Sequence, residues 1–328
     1  MRRSGKLAFG LLSIALAFVL MAFFLPHALG IGWHDTTREI ASIPRMDIIC
    51  LVVVWAAGLW LHTIVLRRAL PGLSRRRAFA LNLGGSSVSN VLPFGGAAGI
   101  GLNYAMLRSW GYNRVQITAF TTVSNLVVAL VKVAIAIAGV VALSFMPDIA
   151  SQLSRPTSPG ALAVYGVLVT LITATSVGYL RWGRGRVRGP VTATIAQFWE
   201  QCAHVLRRGW GGLAVGGLGY PLLQVLLMWS CLVALQVDVT VGAVLAAYAV
   251  ERMLSLVPIT PGGVGVVETA ATATLVGFGA DPVGAAAGVV LFRVFSYLIE
   301  IPLGAVVAAA WFARSRRVSA SQPAAIAA

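Results

Sequence analysis

Six ionisable side chains fall within otherwise apolar stretches: Lys132, Glu251, Arg252, Glu268, Arg293 and Glu300. A charge in hydrocarbon is costly, so each is a candidate for function. Glu268 follows the broken stretch "PITPGGVG" and opens the helix predicted after it. It either stabilises that helix N-terminus or acts as a polar group that binds a cationic headgroup, pairs with arginine or takes a proton. The backbone N–H groups after the paired glycines suit a phosphate. Arg293 and Glu300 lie seven residues apart and share a helix face. Arg293 either belongs to an internal ion-pair network or grips a lipid phosphate, which a guanidinium recognises in bidentate fashion. Glu251 and Arg252 are neighbours, about 100° apart on a helix, which predicts separate partners. Lys132 either faces a cavity as a phosphate or proton site or neutralises a buried glutamate. Asn90 and Asn103 flank an earlier break, where capping or hydrogen bonding within a hairpin is the expectation.

Other chemistries find no support. His27, His34, His62 and His204 show no metal-ligand spacing, so neither a metal nor a cofactor is expected. His62 is expected to face inward and the other three to lie at the membrane interface. No HExxH, nucleophile elbow, GK[ST] phosphate loop or GxGxxG after a strand is present. The expectation is therefore a protein that is not an enzyme. Cys50, Cys202 and Cys231 form no CxxC pair and read as buried small hydrophobes.

The elements that must position these residues follow from composition. Of 328 residues, 58% are hydrophobic and only 11% charged, against about 25% charged in a soluble domain. Mean hydropathy is +0.86. Apolar runs long enough to cross a bilayer core of about 30 Å recur along the chain. The predicted class is all-α and polytopic, with spans near 7–27, 48–66, 116–146, 160–180, 210–235 and 283–312. The run at 7–27 reads as an uncleaved first span. The stretch 190–206 shows an apolar face at helical spacing and is expected to lie along the membrane surface. The net charge of +15 comes from basic loops such as "RRALPGLSRRR"; such loops set topology, and nucleic acid is not an expected partner. With the N-terminus inside, nineteen of the 25 lysines and arginines fall in cytoplasmic segments. Arg38, Arg45 and Arg155 fall outside, and Lys132, Arg252 and Arg293 are buried.

Two segments, 78–107 and 241–278, are broken by proline and paired glycines. The tips are predicted at Pro93, Gly95 and Gly96 and at Pro258, Pro261, Gly262, Gly263 and Gly265. On the charge assignment, the first segment begins and ends inside, the second outside. Each is then a re-entrant helical hairpin whose arms rise about 22–25 Å, past the midplane. Broken backbone at that depth must be buried in protein or line a wet cavity. Residues 1–152 and 153–313 thus form two halves of opposite orientation, an inverted-topology repeat, and 314–328 form a disordered cytoplasmic tail.

The stretch "PITPGGVGVVE", the "GFGAD" turn and "LFRV" some 25 residues after the glutamate, within Tyr248 to Gly304, resemble the lysylphosphatidylglycerol synthase transmembrane domain family, also called flippase-like membrane proteins. "LPFGGAAGIGLNYAMLRSWGYN" resembles it less closely: many members carry Arg and Glu where Gly95, Gly96 and Ala97 stand. No counterpart is present of the soluble lysyl-transferase domain of some members. The resemblance implies translocation of an aminoacylated or polyprenyl-phosphate-linked lipid between leaflets, not lipid aminoacylation. On this reading Arg293, Arg252 and Lys132 hold phosphate and Glu268 balances charge, in the plasma membrane with both termini cytoplasmic. The partners are membrane lipids with a phosphate-bearing headgroup. A cell-envelope synthase and a second copy of the chain are further candidates. The alternatives are an intramembrane lipid-phosphate transferase or hydrolase with Glu268 as base, and a non-transporting partner of such a synthase.

Overall fold

The computed structural model describes residues 33–92, 95–144, 190–255 and 263–320. Every regular element among them is helical: α1 (Trp33–Ala41), α2 (Arg45–Ala69), α3 (Arg75–Val91), α4 (Gly95–Ser109), α5 (Arg114–Ser144), α6 (Pro190–Ala234), α7 (Val241–Leu254), α8 (Val266–Gly277), α9 (Pro282–Arg293) and α10 (Glu300–Ala320). A π-helical turn, Val294–Leu298, joins α9 to α10. Four stretches are long and apolar enough to cross a membrane: Arg45–Ala69, Arg114–Val131, Gly209–Ala234 and Pro282–Ser315. They coincide with four of the six predicted spans. The other two, 7–27 and 160–180, lie outside the described residues; of the predicted disordered tail 314–328, residues 314–320 instead continue α10 as helix and the rest lies outside the described residues.

Local chemistry explains where the helices start. Ser74 accepts from the Arg77 amide, Thr240 from Ala243, and Asp281 from Gly284, with Pro282 in the first turn of α9. Each caps an otherwise unpaired donor. Two regions differ from expectation. Residues 33–41, read as a polar connection, form α1, which packs on α9. The stretch 190–206 is no separate surface helix but the first part of the unbroken α6. Its apolar face, with Cys202 and Val205, is buried against Val65, Leu66 and Ala69 of α2, so protein rather than lipid takes it up.

Helices α2 and α6 run antiparallel: Gly58 faces Tyr220, Leu61 faces Gly216 and Gly219, and Arg68 faces Gly212. Small residues let membrane helices approach closely. Helix α6 also runs antiparallel to α9, with Leu232 at Gly288 and Val237, just past the end of α6, at Gly284. Cys50 corrects another expectation. It is exposed on a face of α2 shared with Met46, Ile49 and Val53, the apolar outer surface of a span.

Helices α3 and α4 form an antiparallel pair: Gly84 meets Met106, Gly85 meets Asn103, Ser89 meets Gly95 and Arg77 lies over Trp110. Helices α7 and α8 form a second pair. Each pair is the centre of an apolar cluster. Leu81, Met106, Leu107, Ile117 and Phe120 gather around the first, and Met228, Leu232, Tyr248, Leu275 and Phe292 around the second.

Candidate functional site

The long stretch Pro282–Ser315 organises the polar groups. It has 34 residues, and its middle falls close to Tyr297. The first helix pair lies along its C-terminal half: Gly304 meets Leu83, Ser87 donates to the Ile301 carbonyl at 2.9 Å, and Trp311 donates to Ser109 at 2.9 Å. The approach is close, since a Cβ at Gly304 would lie 2.0 Å from the Leu83 carbonyl oxygen. Asn90, at the end of α3, reaches only as far as Tyr297. The second pair lies along the other half, with α8 against α9 and Glu268, in the first turn of α8, against Arg293.

Glu251 (0% exposed), Glu268 (1%), Arg293 (5%) and Glu300 (4%) are all buried. The Arg293 Nε donates to Glu268 Oε1 at 2.6 Å, and its Nη1 donates to Glu251 Oε1 at 3.5 Å. The other Glu268 oxygen accepts from the Gly265 N–H at 2.7 Å. Gly263 and Gly265 have φ of 71° and 87°, a left-handed backbone that glycine adopts without steric cost; this turn aims the Gly265 amide at the carboxylate. That amide, one of the donors expected for phosphate, is therefore occupied by the chain itself. Arg252 pairs with Glu251, which corrects the expectation of separate partners. Its long side chain folds back to its neighbour and lies 5.2 Å over the Tyr248 ring. Two arginines and two glutamates thus form one compact network of zero formal charge.

Tyr297, not singled out from the sequence, extends the network. The Arg293 guanidinium lies 4.5 Å over its ring, and the tyrosine hydroxyl donates to the Asn90 carbonyl. The Asn90 side-chain amide donates in return to the Tyr297 carbonyl at 3.4 Å. A continuous series, Glu268–Arg293–Tyr297–Asn90, therefore connects the ends of the two helix pairs. Asn90 acts between helices rather than as a cap. The π-turn sits at this level, and Ile299 N–H donates to the Val294 carbonyl at 2.9 Å. Pro302 supplies its cause: it has no N–H for the Leu298 carbonyl, so the α-helical ladder fails there. The turn also rotates Glu300 away from the face that seven residues of regular helix would give it. Glu300 instead accepts a hydrogen bond from Ser86 of α3. Proline inside a span was the available signal for this site.

Beside Asn90, a cleft of about 380 Å³ opens between α2, α3, α4 and α5. Gly96 and Asn103 line it, and His62, which faces inward as expected, stacks edge-on to Tyr220 at 4.9 Å. Gly95 is not at the surface of a tip but against α3, where a Cβ would fall 1.9 Å from the Ser89 carbonyl oxygen. Lys132 is on α5, with its side chain outside the described residues. Pro93, Pro258, Pro261 and Gly262 also lie outside them. No group of three or more potential metal ligands occurs among the described residues.

The model of the lysylphosphatidylglycerol synthase TM region matches residues 10–304. The chain belongs to that family. Membership covers both helix pairs and the whole charged network, and it agrees with a multi-pass membrane protein. No curated protein matches this family member.

Proposed function

We propose that the protein moves a polar lipid headgroup between leaflets of the plasma membrane, with its termini cytoplasmic. The two helix pairs are re-entrant hairpins in an inverted repeat that spans 1–152 and 153–313. One observation carries this reading: the series from Glu268 through Arg293 and Tyr297 to Asn90 joins the two pair ends at the middle of a span, beside a polar cleft. Ends of broken helices meeting at mid-span are the usual placement of a transporter substrate site. The contact pattern supports the repeat, because α5 packs on α7 while α10 packs on α3. The last span of each half thus braces the hairpin of the other.

In this arrangement the ion-pair network holds one hairpin to the last span, and the Tyr297–Asn90 contact holds the other. Separation of the hairpin ends breaks the uncharged contact before the charged one, so access changes at the Asn90 side while the arginines stay paired. At the Arg293 Nε and at the Arg252 Nε and Nη2, a phosphate would have to displace a carboxylate. Glu268 as a catalytic base would have to leave both Gly265 and Arg293.

Reconstitution tests the proposal. Purified protein in liposomes should move a fluorescent phospholipid between leaflets, at a rate lowered at least tenfold in Glu268→Gln and Tyr297→Phe variants that fold normally. Chemical conversion of the lipid would favour a transferase or hydrolase. Absence of both activities with stable co-purification of a synthase would favour a non-transporting partner.

A further inference from the structure

The cleft of the first hairpin differs in chemistry from the network that joins it to the second. Among the described residues its lining holds no carboxylate, lysine or arginine; its polar surface comes from amides and hydroxyls, among them Asn82, Ser89, Asn103 and Asn125, and from the His62 imidazole. Two of these groups are buried and unpaired: the Asn82 Nδ2, a donor, and the Asn103 Oδ1, an acceptor. An unpaired buried polar atom carries a desolvation cost of about 1–3 kcal/mol, and two in one cleft point to a ligand or water that satisfies both. Gly85 leaves room for the Asn103 amide, since a Cβ there would lie 2.7 Å from its Nδ2. Phe120 adds an aromatic face to the lining. At about 380 Å³ the space is within the range of small-molecule sites.

An ammonium group would call for a carboxylate, which the described lining does not hold, and a phosphate would meet His62 as the one ionisable side chain described there. A hydroxyl donates and accepts at once, which matches a free amide donor and a free carbonyl acceptor. We infer that the cleft between α2, α3, α4 and α5 binds a neutral, hydroxyl-rich group, a sugar or polyol. Given the transport function proposed above, on which this rests, that group is the headgroup of the transported lipid. Asn82 donates to one hydroxyl, Asn103 accepts from another, and Phe120 packs on the apolar face of the ring.

The test uses the full-length chain in phosphatidylcholine nanodiscs. Thermal melting is followed while n-octyl β-D-glucoside, n-octyl phosphate, n-octylammonium or methyl β-D-glucoside is added below any micellar concentration. The expected result is a saturable rise in melting temperature with octyl glucoside alone among the octyl probes. Methyl glucoside should act at least tenfold more weakly. Asn82→Leu and Asn103→Leu should each weaken the glucoside response at least tenfold without lowering the ligand-free melting temperature. Should either leucine variant fail to fold, the wild-type selectivity series decides by itself. Equal action of methyl and octyl glucoside would keep the hydroxyl-rich chemistry and overturn the lipid source. A saturable response to octyl phosphate or octylammonium but not to glucoside would overturn the inference. So would no saturable response at all, which would leave the cleft to water. Lipid transport without glucoside binding would sink the inference and spare the transporter. Glucoside binding without transport would do the reverse.

Discussion

The two helix pairs, α3–α4 and α7–α8, end in opposite chemistry. The second ends in Glu251, Arg252, Glu268 and the Arg293 that they meet, four ionisable groups paired with one another, all but Arg252 buried. The first ends in amides and hydroxyls, with His62 as the one ionisable side chain among the described residues of its cleft. Buried charges are expensive alone and tolerable only when fully paired, so the second end is committed to one arrangement. Uncharged polar groups cost less to unpair, so the first end is the one that exchanges partners. The comparison separates a fastened side, which ties the second pair to the last span, from a yielding side, where the proposed ligand would sit.

Arg293→Ala should break this contrast most severely. It strands Glu268 without a cation, while Glu251 keeps Arg252, at a cost of about 3–5 kcal/mol, read by chemical denaturation in detergent. Glu268→Gln in the same chain should recover part of the loss. A cost below about 1 kcal/mol would mean that the fastened side is not fastened. Gly304→Ala should cost about 1–3 kcal/mol, because the added carbon meets the Leu83 carbonyl oxygen. Gly96→Ala on the yielding side should leave stability unchanged, since nothing lies within 4 Å of a Cβ there. Tyr297→Phe keeps the ring under Arg293 and removes one hydrogen bond, worth about 1 kcal/mol. Its effect on transport should exceed its effect on melting, and the reverse order would make Tyr297 purely structural. Asn82→Leu should be smallest, neutral or slightly stabilising in the absence of ligand, because it deletes a buried donor with no protein partner.

Much of the fastened side was legible in the chain. A carboxylate three residues after a glycine-rich break belongs in the first turn of a helix, and that is where Glu268 sits. Arg293 in an apolar run had to find acids; the helix-face reading placed it with Glu300, whereas Glu268, read as able to pair with arginine, and Glu251 take it up. The hydrophobic runs also placed α2, α5, the second half of α6 and the α9–α10 stretch. The yielding side was harder to read. Asn82, Ser86, Ser89 and Asn90 recur at helical spacing and form a polar face, but uncharged residues in an apolar chain attract no notice by composition. Tyr297 was invisible because its role depends on a π-turn, whose only trace is Pro302 further along. The pairing of Glu251 with Arg252 runs against helix geometry and comes from side-chain reach in a buried setting. The helicity of 33–41 reflects packing on α9 rather than any span signal.

The most direct test of the central claim, that the two helix pairs enter from opposite faces and meet end to end, is cysteine accessibility. Cys50, Cys202 and Cys231 would first be replaced. Single cysteines would then be placed at Ser74 and Tyr112, flanking the first pair, and at Asp238 and Gly279, flanking the second. In sealed vesicles of known orientation, a membrane-impermeant maleimide should label Ser74→Cys and Tyr112→Cys from one face and Asp238→Cys and Gly279→Cys from the other. Labelling of the two flanks of either pair from different faces would contradict the account, because that pair would then cross the membrane instead of turning back within it.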